Sequence, residues 1–178
     1  MPTYIALLRG INVSGQKKIL MAELRTQTES LGFENVKTYI QSGNLFFDTK
    51  EKSESTIADQ IKTMIKKHWG FEVPIIIRTP AQLKKVIKKH PYLKEDEKRV
   101  AVSFLSAKPT KAAIAAALEW DSKNDVFEIH GKDVYLFCPN GFGTSKLTNN
   151  FFERKLKVEA TTRNLRSVNK LIAIAEGQ

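Results

Sequence analysis

Cysteine is nearly absent from this chain of 178 residues. Cys138 stands alone, which excludes an internal disulfide framework and leaves stability to a hydrophobic core. Long apolar runs are missing too. Segments such as IALL and IIIR are far shorter than the roughly 20 residues a spanning helix needs, so a soluble protein is expected. The opening MPTYIALLRG has no basic stretch ahead of its apolar run and no small-residue cleavage site, so no secretory leader is expected and the chain is assigned to the cytoplasm. Asn12-Val13-Ser14 is then a glycosylation triplet in the wrong compartment. Histidine is scarce as well. His68, His90 and His130 share no i, i+4 spacing and have no cysteine partners, and Asp48, Asp121 and Asp125 form no recognisable metal loop, so neither a metal nor a cofactor is expected.

What is present suffices for a core. At this length and 42% hydrophobic residues, folding buries about 70% of the surface of the unfolded chain. Acidic residues run short: 19 against 29 Lys and Arg, for a net charge of +10. The imbalance leans N-terminal, with 15 cations against 8 anions in residues 1–90 and 14 against 11 afterwards. Such a balance favours nucleic acid, phosphorylated metabolites or anionic surfaces, although plain solubility explains it equally well.

The pattern along the chain predicts an α+β fold. YIALL reads as a buried strand running into Arg9-Gly10, and Met21, Leu24, Thr28 and Leu31 share a helical face that Gly32 ends. VKTYIQ alternates as a strand does, Ser42-Gly43-Asn44 supplies turn residues, and LFFD closes a β-hairpin. A helix through Ile57, Ile61, Met64 and Ile65, capped by Ser53 or Ser55, leads to the strand VPIIIRT. This order is the split βαβ of ferredoxin-like units. The second half repeats it loosely: a connecting helix from Thr79-Pro80, the strand VAVSFL, the helix AAIAAALEW, the hairpin DVFEIH/DVYLFC, and helices near 145–156 and 164–175. The expectation is two similar ferredoxin-like (βαββα) subdomains, residues 1–78 and 79–178, with a C-terminal helix.

ALLRGINVSG, Met21-Ala-Glu-Leu24, TYIQSGN, Ser145-Lys146-Leu147 and ATTRN together resemble a bacterial family, number 1697 among domains of unknown function. The resemblance covers essentially the whole chain. It implies an α+β fold with two similar subdomains and no established activity. Two positions depart from the family pattern: Ser14-Gly15 stands where the family usually has Gly-Gly, and Leu165 where it usually has tryptophan.

The motifs themselves are polar turns. Gly10 and Gly15 are spaced as in a phosphate-binding P-loop, but Gln16 replaces its lysine, Lys17 stands where a hydroxyl should hold magnesium, and helical periodicity starts only near Met21. A looser anion-binding loop using Arg9, Asn12, Lys17 or Lys18 remains open beside an ordinary βα connection. In TYIQSGN, Gln41, Ser42 and Asn44 present neutral hydrogen-bonding groups, or simply build the hairpin. In TTRN, Arg163 offers a cation beside a helix start that Asn164 or a threonine caps. Pro139-Asn-Gly-Phe-Gly-Thr-Ser145-Lys146 has the same style, with Ser145 as a cap and Lys146 as a second phosphate contact. The lysine pairs 66–67, 84–85 and 88–89 lie opposite apolar helix positions and read first as solvated faces.

None of these motifs holds a group that titrates near neutrality, which argues against catalysis. The sequence therefore favours a site for a phosphate-bearing ligand, a nucleotide or single-stranded nucleic acid, built from Arg9, Asn12, Lys17, Lys18, Gln41, Ser42, Asn44, Ser145, Lys146, Arg163 and Asn164. The alternatives are a small enzyme using Cys138 or His130, and a protein-interaction module.

Overall fold

A computed structural model describes residues 1–41 and 43–178. The chain divides into two compact units, Met1–Leu83 with Leu171–Gln178, and Lys84–Lys170.

In the first unit, β1 (Thr3–Leu8), α1 (Met21–Glu29), β2 (Glu34–Tyr39), β3 (Asn44–Asp48), α2 (Glu54–Trp69) and β4 (Ile75–Arg78) follow one another. The four strands form an antiparallel sheet in the order β2-β3-β1-β4, the split βαβ arrangement. Tyr4, Ala6, Leu8, Leu45 and Phe47 alternate onto one sheet face, where Leu24 of α1 and Ile57, Ile61 and Ile65 of α2 close the core. Ile5, Leu7 and Phe46 point the other way and are buried as well. That burial on both faces explains why β1 reads as an unbroken apolar run.

The caps follow the sequence. Ser53 accepts from the Thr56 N–H and Gly70 ends α2 in the left-handed conformation, φ 83°. The helix α3 (Pro80–Lys89) starts with a reciprocal box: Thr79 Oγ1 accepts from the Gln82 N–H (3.2 Å) while Gln82 Oε1 accepts from the Thr79 N–H (2.7 Å).

The second unit repeats the plan with β5 (Val100–Leu105), α4 (Lys111–Leu118), β6 (Val126–His130), β7 (Asp133–Phe137), α5 (Asn149–Leu156) and β8 (Ala160–Asn164), and the helix α6 (Leu165–Ala175) follows. Its sheet order is β6-β7-β5-β8, the same topology as the first. The Phe151–Phe152 pair of α5 packs with Ala101, Val134 and Leu136 of the sheet. Among the described residues the fold is thus α+β with two four-stranded antiparallel sheets and six helices, one of them C-terminal; the α+β class, the two similar units and the C-terminal helix are as the pattern predicted.

Two details differ from the sequence reading. β8 was not expected, because TTRN reads as capping chemistry. The α5 helix begins at Asn149, where Thr148 is its cap, accepting from the Phe151 N–H at 3.2 Å; Ser145 lies four residues earlier, in a turn.

Candidate functional site

The first loop is built by conformations that few side chains adopt. Asn12, Ser14 and Lys17 have φ of 54°, 51° and 47°. Val13 and Gln16 form an isolated bridge, and the two residues between them, Ser14 and Gly15 (φ 72°), are both at positive φ, as a type I′ turn demands. Serine therefore takes, at some cost, the conformation that the family's usual glycine takes freely.

Asn12 holds this loop to the hairpin. Its Nδ2 donates to the carbonyls of Ile19 (3.0 Å) and Gln41 (2.9 Å), and its Oδ1 accepts from the Ile19 N–H (2.9 Å). Gly43 completes the join. Its carbonyl accepts from the Leu8 N–H at 2.8 Å, and a Cβ there would stand 2.7 Å from Leu8 Cβ. Asn44 is buried and donates to the Tyr39 carbonyl at 3.1 Å, across the hairpin loop.

Between loop and hairpin lies a pocket of about 380 Å³, lined by Asn12, Gly15, Lys18, Ile19, Leu20, Met21, Glu23, Gln41 and Trp69. The exposed Lys18 and Gln41 contribute side chains that can reach a ligand. Leu20, Met21 and the half-buried Trp69 give it apolar walls, and the first turn of α1 brings Glu23 to its edge. The structure thus joins three of the expected residues, Asn12, Lys18 and Gln41, in one pocket. Lys17 is engaged elsewhere, donating from Nζ to the Glu72 carbonyl at 2.8 Å, and Arg9 continues β1 with its N–H on the Pro74 carbonyl at 3.1 Å. Ser42, the remaining expected residue of this hairpin, lies outside the described residues. Trp69 and Leu20 carry no sequence signal, each reading as an ordinary helix-end residue; Glu23 falls in the Met21–Leu24 motif but is not among the residues expected at the site.

In the second unit the motif residues are committed to the fold. The Ser145 hydroxyl donates to Asp125 Oδ2 (2.7 Å) and accepts from the Leu147 N–H (3.0 Å). The Cys138 thiol contacts the same hydroxyl at 3.5 Å, and burial pushes that thiol up to about 11, far from the nucleophilic range. Asn164 caps α6, its Oδ1 accepting from the Ser167 N–H at 2.8 Å. Arg163 donates to Thr161 Oγ1 (2.9 Å) and the Thr162 carbonyl (3.0 Å). Burial lowers its guanidinium to about 10, which leaves it cationic at neutral pH. Thr162 donates to Asn149 Oδ1 at 2.7 Å and so ties β8 to the start of α5, three residues beyond the exposed Lys146.

Leu165, where the family usually has tryptophan, is buried at the start of α6. Phe46 is buried too and presents no open face for stacking. Among the described residues, no three of His, Cys, Asp and Glu gather as metal ligands would, and no helix is long and apolar enough to cross a membrane.

Fold and site together define a tandem ferredoxin-like protein with a small pocket, part polar and part apolar, at the turn end of its first sheet. Residues 1–135 match the family described as "Protein of unknown function (DUF1697)", and the chain belongs to it. The chain is also similar to the solved structure of the conserved bacterial protein SP0830 from Streptococcus pneumoniae, at 25% identity and a TM-score of 0.75, over 97% of this chain and 98% of that one. No curated protein matches it.

Proposed function

We propose that the protein binds a phosphate-bearing ligand of the nucleotide kind in the pocket between the first loop and the hairpin. The observation that carries this reading is that two separate motifs wall one pocket holding an exposed ammonium, an exposed amide and an indole plane. Its volume of about 380 Å³ lies at the small end of the range for ligand sites, the right scale for a mononucleotide or a strand's terminal nucleotide. Lys18 supplies the phosphate contact, helped by the N–H groups of the first turn of α1. Trp69 supplies a face for a base, and Gln41 fixes its orientation. Glu23 repels a second anion and accepts from an amino edge, which favours a base over a bare phosphate.

The test is thermal stability against a panel of nucleoside monophosphates and inorganic phosphate. A ligand at a hundred times its Kd stabilises by about 2.7 kcal/mol, which raises the Tm of a chain this size by roughly 5–10 °C. Lys18→Gln should remove most of that shift, and Trp69→Leu should remove any preference for nucleotide over phosphate. No shift at millimolar concentration with any of the panel overturns the proposal.

A further inference from the structure

A second feature of the chain lies outside that pocket. Residues 62–94 carry nine cations, Lys62, Lys66, Lys67, Arg78, Lys84, Lys85, Lys88, Lys89 and Lys94, against Glu72 alone. The densest part is α3, whose ten residues PAQLKKVIKK include four lysines and no acid. Lys84, Lys85, Lys88 and Lys89 are all exposed. They stand in two i, i+4 rows, each rising about 6 Å along the axis, while Leu83 and Val86 on the opposite side are buried.

An ordinary solvated helix face interleaves signs, because opposite charges at i, i+4 stabilise by about 0.2–0.5 kcal/mol and like charges cost as much. The α2 helix carries two acids, Glu54 in its first turn and Asp59 three residues before Lys62. The α3 helix places like charges on like and offsets only part of that at its C-terminal end, where cations suit the macrodipole. A face of one sign calls for a polyanion. Anionic membrane is disfavoured, since a surface-lying helix needs a free apolar side and that of α3 is already buried in the fold. An acidic protein is disfavoured because lysine is depleted from protein–protein interface cores, which use aromatic residues and arginine instead. The phosphate backbone of nucleic acid needs nothing more than cations at close spacing.

We infer that the lysine face of α3 is a nucleic-acid-binding surface that reads phosphate backbone and not sequence. The exposed polar side chains of this face are all lysines, compact point charges suited to phosphate oxygens, so affinity is expected to be nearly the same for unrelated sequences. The surface does not depend on the nucleotide pocket: Lys18→Gln should leave it intact.

The experiment is anisotropy of labelled single-stranded and duplex oligonucleotides between about 20 and about 200 mM salt, where each phosphate neutralised contributes about −0.7 or −0.9 to the log-log slope. The triple variant Lys85→Gln/Lys88→Gln/Lys89→Gln should flatten the slope by about 2 on single strands and about 3 on duplex. A control of equal charge change, Lys50→Gln/Lys52→Gln/Lys111→Gln, should leave it unaltered. The inference is overturned if neither oligonucleotide binds at low salt, if the control loses as much as the α3 variant, or if only anionic vesicles or an acidic polypeptide bind. Circular dichroism of both triple variants, expected to match the parent, keeps misfolding from passing for lost binding.

Discussion

Single residues carry the strain of the first loop. Ser14, at φ 51°, holds a conformation that costs an L-residue roughly 1–2 kcal/mol and glycine almost nothing. Glycine also enlarges the entropy of the unfolded chain by about 0.4–1 kcal/mol, so Ser14→Gly should stabilise by about 1 kcal/mol, and by no more than about 1.6 kcal/mol. The expected rise is about 2–4 °C in Tm, and a fall would mean the serine hydroxyl contributes more than its backbone costs. The opposite holds at Gly43, where φ is 97° and an added Cβ meets Leu8 Cβ at 2.7 Å, backed by Ile11. Gly43→Ala should therefore destabilise by about 2–4 kcal/mol through combined strain and overpacking; a denaturation midpoint equal to the parent's would show that the hairpin relaxes freely. The glycine of TYIQSGN was legible as a turn residue. Its close approach to β1 was not, since nothing local in sequence marks a long-range contact.

At the scale of elements, most of the fold was legible because periodicity and caps agree. Gly70, Ser53 and the Thr79–Gln82 box bound helices whose apolar faces are already periodic. The exception, β8, is short and polar, and only its first two residues are buried. Repetition was the signal available for it: once β5-α4-β6-β7-α5 matches the first unit, a fourth strand is due. Register makes the repeat exact at one position, for Arg78 pairs with Ile5 and Arg163 with Val102, each the third residue of its unit's first strand. In both places the next residue, Thr79 or Asn164, caps a following helix. The α3–β5 connection shows what burial does to a titratable group. His90 is buried, with Nε2 at 2.9 Å from the Ala101 carbonyl and Nδ1 accepting from the Tyr92 N–H at 3.2 Å. Burial lowers its pKa from 6.5, against smaller raising effects of the Ala101 bond and the Glu128 charge. The unfolded chain therefore binds the proton first as pH falls, and His90 costs stability progressively below about pH 6.5, by at most about 1.4 kcal/mol per pH unit. His90→Gln should flatten the stability profile between about pH 6.5 and 5. An unchanged profile in that window would assign the dependence to other groups.

At the scale of the whole molecule, the first unit is discontinuous: it takes in Leu171–Gln178 as well as Met1–Leu83. Contacts that far apart in sequence are invisible to local pattern, which is why a C-terminal helix was legible while its allegiance was not. The division has a measurable consequence, because the chain's two tryptophans fall one in each unit, Trp69 in the first and Trp120 in the second. Leu171 is fully buried, so Leu171→Ala removes a packed side chain and should cost about 2–5 kcal/mol. Membership in the first unit says where that loss falls. In a Trp120→Phe background, fluorescence reports Trp69 alone, and Leu171→Ala should move its denaturation midpoint downward. If the Trp69 transition stays fixed while that of Trp120, followed in a Trp69→Phe background, shifts instead, the C-terminal segment stabilises the second unit and the assignment fails. A long-range contact also predicts the kinetic signature: Leu171 is joined to the first unit only after the intervening chain is in place, so its loss should speed unfolding and leave refolding of Trp69 nearly unchanged.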